Sequence, residues 1–168
     1  MKLNYCPDCA ATLKQQGNTN YICENGHPYY NNPRSTVDVA MVREDGQVLF
    51  SKRAREPFKD MYDLPGGFLD YNEDAYDACV REIREETSVV IRPEDLTLLS
   101  IYTHEYLPNV SVTDSIFITT KWSGEFKPQD DSAALEWKTL SFLSDPTFSP
   151  PYHDLESRIQ TYLNDIAA

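Results

Sequence analysis

The chain has 168 residues, of which 40% are hydrophobic, so it can build the core of one domain of ordinary size. Its formal net charge of −12 would repel nucleic-acid backbones and anionic membranes, so we expect neither as a partner. It contains no apolar run near the roughly 20 residues of a membrane span and no apolar signal-peptide core at its start, which predicts a cytoplasmic protein.

The first 32 residues differ from the rest of the chain. They contain three of the four cysteines but no apolar run long enough for a core of their own. We expect residues 1–32 to form a small module held by something other than hydrophobic burial, and clustered cysteines in a reducing compartment favour a metal over disulfides. The turn-forming sequence NNPR at 31–34 marks a boundary, and residues 33–168 are predicted to form a second domain.

Beyond this boundary, strand patterns are mixed with two helical ones. Alternating, β-branched sequences predict strands at 35–43 and 47–53, joined by a Glu-Asp-Gly turn. Apolar periodicity predicts a helix over 73–87, with Asn72 as its N-cap, and a second helix at the C-terminal end. Further strands are predicted at 96–107, 114–122 and 133–140. Together these elements predict an α/β fold with a sheet covered on both faces.

The helix predicted over 73–87 carries an acidic stripe. Glu82, Glu85 and Glu86 are spaced at i, i+3 and i+4, so they share one face and repel one another. A divalent cation would remove this repulsion, because Mg²⁺ and Mn²⁺ prefer carboxylate oxygens as ligands. The alternative is an ordinary solvated helix face stabilised by i, i+4 ion pairs, such as Asp77 with Arg81.

These glutamates belong to a longer spaced motif. Gly67 is followed after five residues by Glu73, and after seven more by the sequence REIREETSV at 81–89. This spacing resembles the Nudix box of the Nudix hydrolases, which reads Gly, five residues, Glu, seven residues, Arg-Glu, an aliphatic, any residue, Glu-Glu, any residue, Gly, an aliphatic. Ser88 is the one departure, because the family has Gly there. The resemblance covers roughly residues 35–165.

The resemblance implies a fold and an activity. It implies a Nudix α/β/α sandwich with a mixed β-sheet that hydrolyses a pyrophosphate bond in a nucleoside diphosphate linked to another moiety. The implied cofactor is Mg²⁺ or Mn²⁺, and the implied partner is a small-molecule nucleotide. The alternative is a non-catalytic Nudix-fold module that senses a nucleotide or binds a partner. The complete set of metal-site acids favours the enzyme.

The resemblance also implies ligands for the catalytic cation. Glu82 and Glu86 would bind it directly, together with the carbonyl oxygen of Gly67. Glu85 would be a third carboxylate ligand or the general base, and the family varies on this point.

Two further consequences concern the ends of the helix. Arg81 and Glu73 would pair and brace the helix against the preceding loop. Ser88 stands where a Gly would supply a left-handed backbone conformation. Either the helix ends differently here, or Ser88 adopts the strained conformation with help from its hydroxyl.

The N-terminal cysteines resemble the spacing of a zinc ribbon. Cys6 and Cys9 form one pair, and Cys23 and His27 form the second. Three thiolates and one imidazole suit a tetrahedral, structural Zn²⁺, which would also supply folding free energy to a short module. Gly26 stands where many ribbons have the last cysteine, so a metal-free thiol cluster is the alternative.

A subgroup of Nudix hydrolases that includes the NADH pyrophosphatases has such a ribbon before the catalytic domain. Those enzymes also carry an SQPWPFPxS array after the box, whereas the nearest stretch here is FSPPYHDL at 148–155, which does not match. The absence of this array argues against NADH as the substrate. ADP-ribose or another dinucleotide-like substrate is therefore the working hypothesis.

Four other side chains are candidates for substrate binding. Arg34, Arg53 and Arg55 flank the first two predicted strands and could contact phosphates, although surface charges at strand ends are an equally good interpretation. Asp131 lies in a region where some relatives place a late acidic residue near the metal or the base. A homodimer is compatible with the sequence, but nothing in the sequence requires one.

Overall fold

The structure is a computed structural model that describes residues 4–18, 20–149 and 152–167. It divides into two compact units. The small unit comprises residues 1–34 and 103–113, and the large unit comprises residues 35–102 and 114–168.

The small unit contains a three-stranded antiparallel sheet in the order β1-β2-β3. Its strands are β1 (Leu13–Gln16), β2 (Asn20–Cys23) and β3 (Pro28–Tyr30). The buried core consists of Cys6, Leu13 and Cys23, with Ala11, Tyr21 and Tyr29 packed against it. Two of the three buried residues in this cluster are cysteines, so the cluster buries little apolar area.

The remaining strands form two sheets, in the orders β7-β4-β9-β8 and β10-β5-β6. These strands are β4 (Arg34–Met41), β5 (Val48–Arg53), β6 (Tyr62–Asp63), β7 (Gly66–Phe68), β8 (Thr97–Leu107), β9 (Val110–Thr119) and β10 (Ser132–Lys138). The helices are α1 (Ala75–Thr87) and α2 (Leu155–Ala167), with short 3₁₀ turns at Pro93–Asp95 and Leu140–Ser144. Within the described residues, no helix is both long and apolar enough to cross a membrane.

The alternation of side chains along β4 divides the core of the large unit into two layers. Val37, Val39 and Met41 pack in one cluster with the buried face of α1, whereas Ala40 and the next residue after β4, Val42, pack in the other with α2. This follows from the period of two in a strand, which sends successive side chains to opposite faces. The predicted α/β sandwich with a helix on each face is therefore confirmed.

The first two predicted strands are correct, but their pairing differs from a simple hairpin. The turn forms as expected, and the strands meet at a bridge between Val42 and Val48. They then continue in different sheets, β4 beside β7 and β9, and β5 between β6 and β10.

Helix α1 begins two residues later than predicted. Its N-cap is Asp74, whose side chain accepts a hydrogen bond from the backbone N–H of Tyr76. Asn72, the predicted N-cap, instead lies in the loop with a left-handed φ of 63°. Asp has the same capping ability as Asn, so the sequence signal identified the right region but the wrong residue.

At its other end, α1 stops at Ser88, which adopts the left-handed conformation with φ 65° and ψ 1°. Its backbone N–H donates to the carbonyl of Arg84, and its hydroxyl donates to the carbonyl of Lys127 at 3.4 Å. Of the two expected outcomes, the structure has the second: Ser88 keeps the conformation of a glycine cap.

Candidate active site and metal centres

The candidate site is built on a close approach of strand β7 to strand β4 and helix α1. Gly66 is paired with Asp38 in the sheet register, and Gly67 is paired with Val37. A Cβ atom on Gly66 would lie 2.1 Å from the carbonyl oxygen of Val37, and one on Gly67 would lie 2.5 Å from Oε1 of Glu82. The backbone contact requires glycine at position 66, whereas at position 67 a Cβ would displace the carboxylate of Glu82.

Helix α1 presents three glutamates at this place, which we call the carboxylate face (Glu82, Glu85 and Glu86). The side chain of Glu82 is 13% exposed, whereas that of Glu85 is 49% exposed. Oε2 of Glu86 accepts a hydrogen bond of 3.3 Å from the backbone N–H of Gly66. The face thus consists of two sheltered carboxylates beside the glycine pair and one at its solvent edge.

Burial makes ionisation of the sheltered carboxylates unfavourable. It raises the pKa of Glu86 to about 8, even though the hydrogen bond from Gly66 acts in the opposite direction. Burial also raises the pKa of Glu82, against the effect of neighbouring Arg81. A divalent cation would supply the missing positive charge, and the donor set of carboxylate and carbonyl oxygens fits Mg²⁺ or Mn²⁺.

Arg81 connects the face to the preceding loop. Its Nη1 donates to Glu82 at 2.7 Å and to Glu85 at 3.2 Å, and its Nη2 donates to the carbonyl of Phe68 at 3.0 Å. A planar guanidinium can make these bonds at the same time, which a lysine ammonium could not do with the same geometry.

Glu73 forms the other half of this brace. Its two carboxylate oxygens accept hydrogen bonds from Nε and Nη2 of Arg81 at 2.8 and 2.7 Å. The bidentate contact lowers the pKa of Glu73 to about 2 and raises that of Arg81. The pair expected from the sequence is thus in contact, and it fixes Arg81 so that its remaining N–H groups point at the carboxylate face.

The stretch of chain that contains this site matches one protein family. A family model described as the NUDIX domain matches residues 32–154, well over half of the chain. The chain belongs to the Nudix hydrolase family.

Individual relatives agree with this assignment. The chain is 34% identical over 135 residues to an ADP-ribose pyrophosphatase of Methanocaldococcus jannaschii, a match that covers 80% of this chain and 75% of the relative. A shorter match, 38% identical over 66 residues, links it to an RNA pyrophosphohydrolase of Xanthomonas campestris and covers 39% of this chain and 30% of the relative. Among solved structures, a MutT NUDIX hydrolase from Burkholderia pseudomallei superposes with a TM-score of 0.62 at 29% identity, covering 77% of this chain and 97% of the other.

The Nudix domain also contains a buried polar cluster that the sequence analysis missed. Asp38 and Asp114 are 8% and 4% exposed, and the hydroxyl of Tyr152 contacts both, at 2.7 and 3.1 Å. Thr36 donates a further hydrogen bond to Asp114. A detectable signal was present, because an aspartate inside the apolar strand sequence STVDVAMV occupies a buried position.

This cluster adds buried carboxyl groups close to the carboxylate face. Burial and the nearby carboxylate of Asp114 raise the pKa of Asp38 to about 8. Asp63, at the end of β6, likewise has its pKa raised by burial and by Asp38, although Arg53 lies 3.5 Å away and acts in the opposite direction. The Nudix site therefore contains more buried carboxyl groups than its own cations neutralise, which again favours a bound cation.

The arginines predicted to bind substrate lie in different surroundings. Arg53 contacts Asp63 and donates from Nε to the carbonyl of Pro57 at 2.9 Å. Arg55 forms an ion pair with Asp131 at 2.8 Å. Arg34 is the first residue of β4 and is grouped with the small unit, and its role in substrate binding stays a prediction.

The Cys/His cluster of the small unit has the geometry of a metal site. The ligand atoms of Cys6, Cys9, Cys23 and His27 all lie within 4.8 Å of one another. Sγ of Cys9 lies 3.8 Å from Sγ of Cys23, and Sγ of Cys6 lies 3.7 Å from Nδ1 of His27. A tetrahedral Zn²⁺ with bonds of about 2.3 Å to sulfur separates its ligands by about 3.8 Å. The donor set and its spacing therefore fit zinc.

Two N–H groups point at these sulfurs. The side-chain amide of Asn25 donates to Sγ of Cys9 at 3.4 Å, and the backbone N–H of His27 donates to Sγ of Cys23 at 3.3 Å. Hydrogen bonds of this kind favour the thiolate form, which is the form that binds a metal, and that of Asn25 helps to lower the pKa of Cys9 to about 6.

Proposed function

We propose that this Nudix hydrolase cleaves the pyrophosphate bond of a nucleoside diphosphate derivative, with ADP-ribose as the first candidate, and that it requires Mg²⁺ or Mn²⁺. The observation that carries the proposal is the convergence of Glu82 and Glu86 on the glycine pair of β7, with Arg81 bracing the helix. The alternative of a module that binds without turnover would not need this complete set of acids.

The roles follow from burial and contact. The proposed ligands of the catalytic cation are Glu82, Glu86 and the carbonyl oxygen of Gly67. These are the sheltered oxygen donors where helix α1 meets strand β7. Glu85 is the most exposed of the three glutamates, which suits a residue that accepts a proton from an attacking water at the solvent edge. A direct contact of Glu85 with the cation is the alternative role.

When bound, the cation would polarise a phosphoryl oxygen and offset the negative charge that develops as the bond breaks. The protein's own part is positioning. Arg81 holds Glu82 and Glu85 in one orientation, and Glu73 holds Arg81. The other two candidate arginines, Arg53 and Arg55, form ion pairs with Asp63 and Asp131. These two arginines are therefore less available to the substrate, which leaves more of the phosphate charge to the cation.

ADP-ribose is favoured by two independent observations. A relative whose match covers 80% of this chain carries the name ADP-ribose pyrophosphatase, and the sequence array of the NADH pyrophosphatases is absent. The RNA pyrophosphohydrolase match covers a much smaller part of this chain. A strongly acidic protein is also poorly suited to an RNA substrate.

For the small unit, we propose a structural Zn²⁺ held by Cys6, Cys9, Cys23 and His27. Four protein ligands fill the tetrahedral positions, so this ion would stabilise the fold and take no part in hydrolysis. The division of the chain into a ribbon at residues 1–32 and a Nudix domain at 33–168 remains part of this proposal. So does a cytoplasmic location, where the thiols would stay reduced.

The test is a substrate panel with matched variants. ADP-ribose, NADH, diadenosine polyphosphates and 5′-triphosphorylated RNA are assayed with Mg²⁺ and with Mn²⁺, and ADP-ribose should give the highest kcat/KM. Glu82→Gln and Glu86→Gln should each lower kcat by at least about 10²-fold with an unchanged circular dichroism spectrum. Asp77→Asn, an exposed acid on the same helix, is the control. Undiminished turnover in both glutamine variants would refute the mechanism.

A further inference from the structure

The small unit contains a cavity of about 470 Å³ whose lining has an unusual composition. Five carboxamide side chains contribute to it, and the other lining residues are one tyrosine, one arginine, one glutamate, one serine and one valine. The lining residues are Gln15, Asn18, Tyr21, Asn31, Asn32, Arg34, Glu105, Asn109, Val110 and Ser111. All of them belong to the small unit, whereas the carboxylate face belongs entirely to the large unit.

Part of this lining is used to shape the cavity itself. The amide of Gln15 donates to the carbonyl of Gly17 at 2.9 Å, which fixes the β1–β2 turn. A carboxylate oxygen of Glu105 accepts from the backbone N–H of Asn109 at 2.7 Å, and the hydroxyl of Ser111 donates to the carbonyl of His104 at 3.0 Å. These hydrogen bonds link residues of the β1–β2 turn and of the β8–β9 hairpin, which form part of the cavity wall.

Among the described residues, three polar side chains of the lining make no such contact and are suited to bind a ligand. Within the described ranges, the guanidinium of Arg34 has no hydrogen-bond or ion-pair partner, and the same holds for the side-chain amides of Asn31 and Asn32. The half-buried ring of Tyr21 contributes an aromatic surface to the same lining.

The charge of the small unit supports a ligand that carries a negative group. Residues 1–34 and 103–113 contain three Lys or Arg and three Asp or Glu residues, so the unit is formally neutral. The net charge of −12 therefore lies wholly in the large unit. The small unit itself therefore contributes no net repulsion to an anion bound in this cavity.

We propose that this cavity binds a nucleoside monophosphate, separately from the hydrolytic site. A guanidinium recognises a phosphate with charge-assisted hydrogen bonds. The carboxamides of Asn31 and Asn32 offer both donors and acceptors, the pattern that a nucleobase edge or ribose hydroxyls require. Tyr21 offers a surface on which the base can stack, and the volume lies within the usual range for small-molecule sites.

The number of charges limits the ligand. One guanidinium offsets part of the charge of one phosphate monoester, which is about −1.5 to −2 at pH 7. A polyphosphate or an RNA strand would bring further negative charge, which no second cation among the described lining residues offsets and which Glu105 would repel. Nucleoside monophosphates are also released when a nucleoside diphosphate derivative is cleaved, so such a site would respond to product. The binding itself does not depend on the proposed hydrolysis.

The test is a titration of ¹⁵N-labelled, zinc-loaded protein with AMP, followed by NMR of the side-chain NH₂ groups and with no Mg²⁺ or Mn²⁺ added. The amides of Asn31 and Asn32 should shift, while that of Asn164 on α2 should not. Adenosine alone and inorganic phosphate alone should each produce much smaller shifts at the same concentration. Without the catalytic cation, the outcome is independent of whether the protein hydrolyses ADP-ribose.

Two variants test whether Arg34 binds the phosphate of AMP. Arg34→Gln should weaken AMP binding by about tenfold or more, the scale of a lost charge-assisted hydrogen bond, while Lys14→Gln, which removes a cation outside the lining, should not change it. Three results would overturn the proposal: no shift of the Asn31 and Asn32 amides at millimolar AMP, equal shifts with phosphate alone, or equal affinities of the two variants.

Discussion

The two candidate metal sites are supported by very different amounts of structure. The carboxylate face lies on a helix packed in a sandwich with two large apolar clusters. The Cys/His site lies in a cluster of only three buried residues, two of them proposed ligands. The first site therefore belongs to a fold that stands without its metal, and the second belongs to a fold that its metal helps to build. Losing a ligand should cost activity in one case and structure in the other.

The largest expected effect is at the zinc ligands. Cys23→Ser removes a buried ligand, and because structural zinc sites contribute about 10–16 kcal/mol of apparent binding free energy, the small unit should lose its fold. In a ¹H–¹⁵N NMR spectrum, the signals of residues 4–34 should collapse towards random-coil positions while those of the sandwich stay dispersed.

Cys79→Ala is the matched control, because Cys79 lies buried on α1 away from the cluster. It should keep one zinc per chain. A well-dispersed spectrum and full zinc content in Cys23→Ser would show that the cluster is not a structural zinc site.

The next-largest effects are expected at Gly66 and Gly67, where substitution should affect stability at one position and activity at the other. Gly66→Ala drives a Cβ into the backbone of β4, so it should destabilise the protein by about 1–3 kcal/mol. Gly67→Ala meets the carboxylate of Glu82, a side chain that can move. It should lower activity by about 10–100-fold, the scale of a disturbed metal environment, with a smaller loss of stability. Urea unfolding and Mg²⁺ activation curves measure the two effects, and the reverse ranking would contradict the geometry.

A third effect is a pH dependence of stability. Burial raises the folded-state pKa of Glu86 from its ordinary value of 4.5 to about 8, so the folded state binds the proton more tightly than the unfolded state does. Without added Mg²⁺, stability should fall as pH rises from about 5 to 8, and Mg²⁺ at 100 times its Kd should restore about 2.7 kcal/mol at pH 8. Glu73 has the opposite shift, so its contribution is lost only as pH falls towards 2.

Glu86→Gln tests this assignment. It should reduce the slope between pH 5 and 8 without abolishing it, since Asp38 has a similar shift, and it should weaken the stabilisation by Mg²⁺. Thermal unfolding at several pH values measures both. A slope identical to that of the unaltered protein would place the titration elsewhere.

The smallest effect is at the end of α1. Ser88→Gly should stabilise the protein by about 0.5–1 kcal/mol, because glycine adopts a left-handed φ without strain. Asn72→Gly is the comparison: Asn72 has a similar φ of 63°, but asparagine tolerates this region better, so its gain should be smaller. A loss of stability in Ser88→Gly would show that the hydroxyl bond to Lys127 outweighs the strain.

The sequence predicted most of the sandwich, because its signals are local. The alternation in β4 and the apolar spacing along α1 each fix a buried face without reference to distant residues. The spaced motif likewise predicted that Gly67, Arg81 and the glutamates come together. The N-cap was misplaced because Asn72 and Asp74 are both competent caps, and only the backbone distinguishes them.

Contacts between distant strands escaped the sequence reasoning. Asp38, Asp114 and Tyr152 meet through the packing of β4, β9 and the segment before α2, and no spacing along the chain indicates this. The parting of β4 and β5 into different sheets is also set by their neighbours rather than by the turn between them. The cavity around Arg34 could not be predicted either, because it is completed by residues 109–111 of the hairpin between β8 and β9.

The central claim, that the carboxylate face binds the catalytic cation, is tested most directly by a crystal structure with Mn²⁺ and a non-hydrolysable ADP-ribose analogue. Anomalous difference density should show an ion within coordination distance of Glu82, Glu86 and the carbonyl oxygen of Gly67, with the pyrophosphate bound to it. Saturating Mn²⁺ that leaves this place without density, or an ion bound elsewhere to the pyrophosphate, would contradict the account.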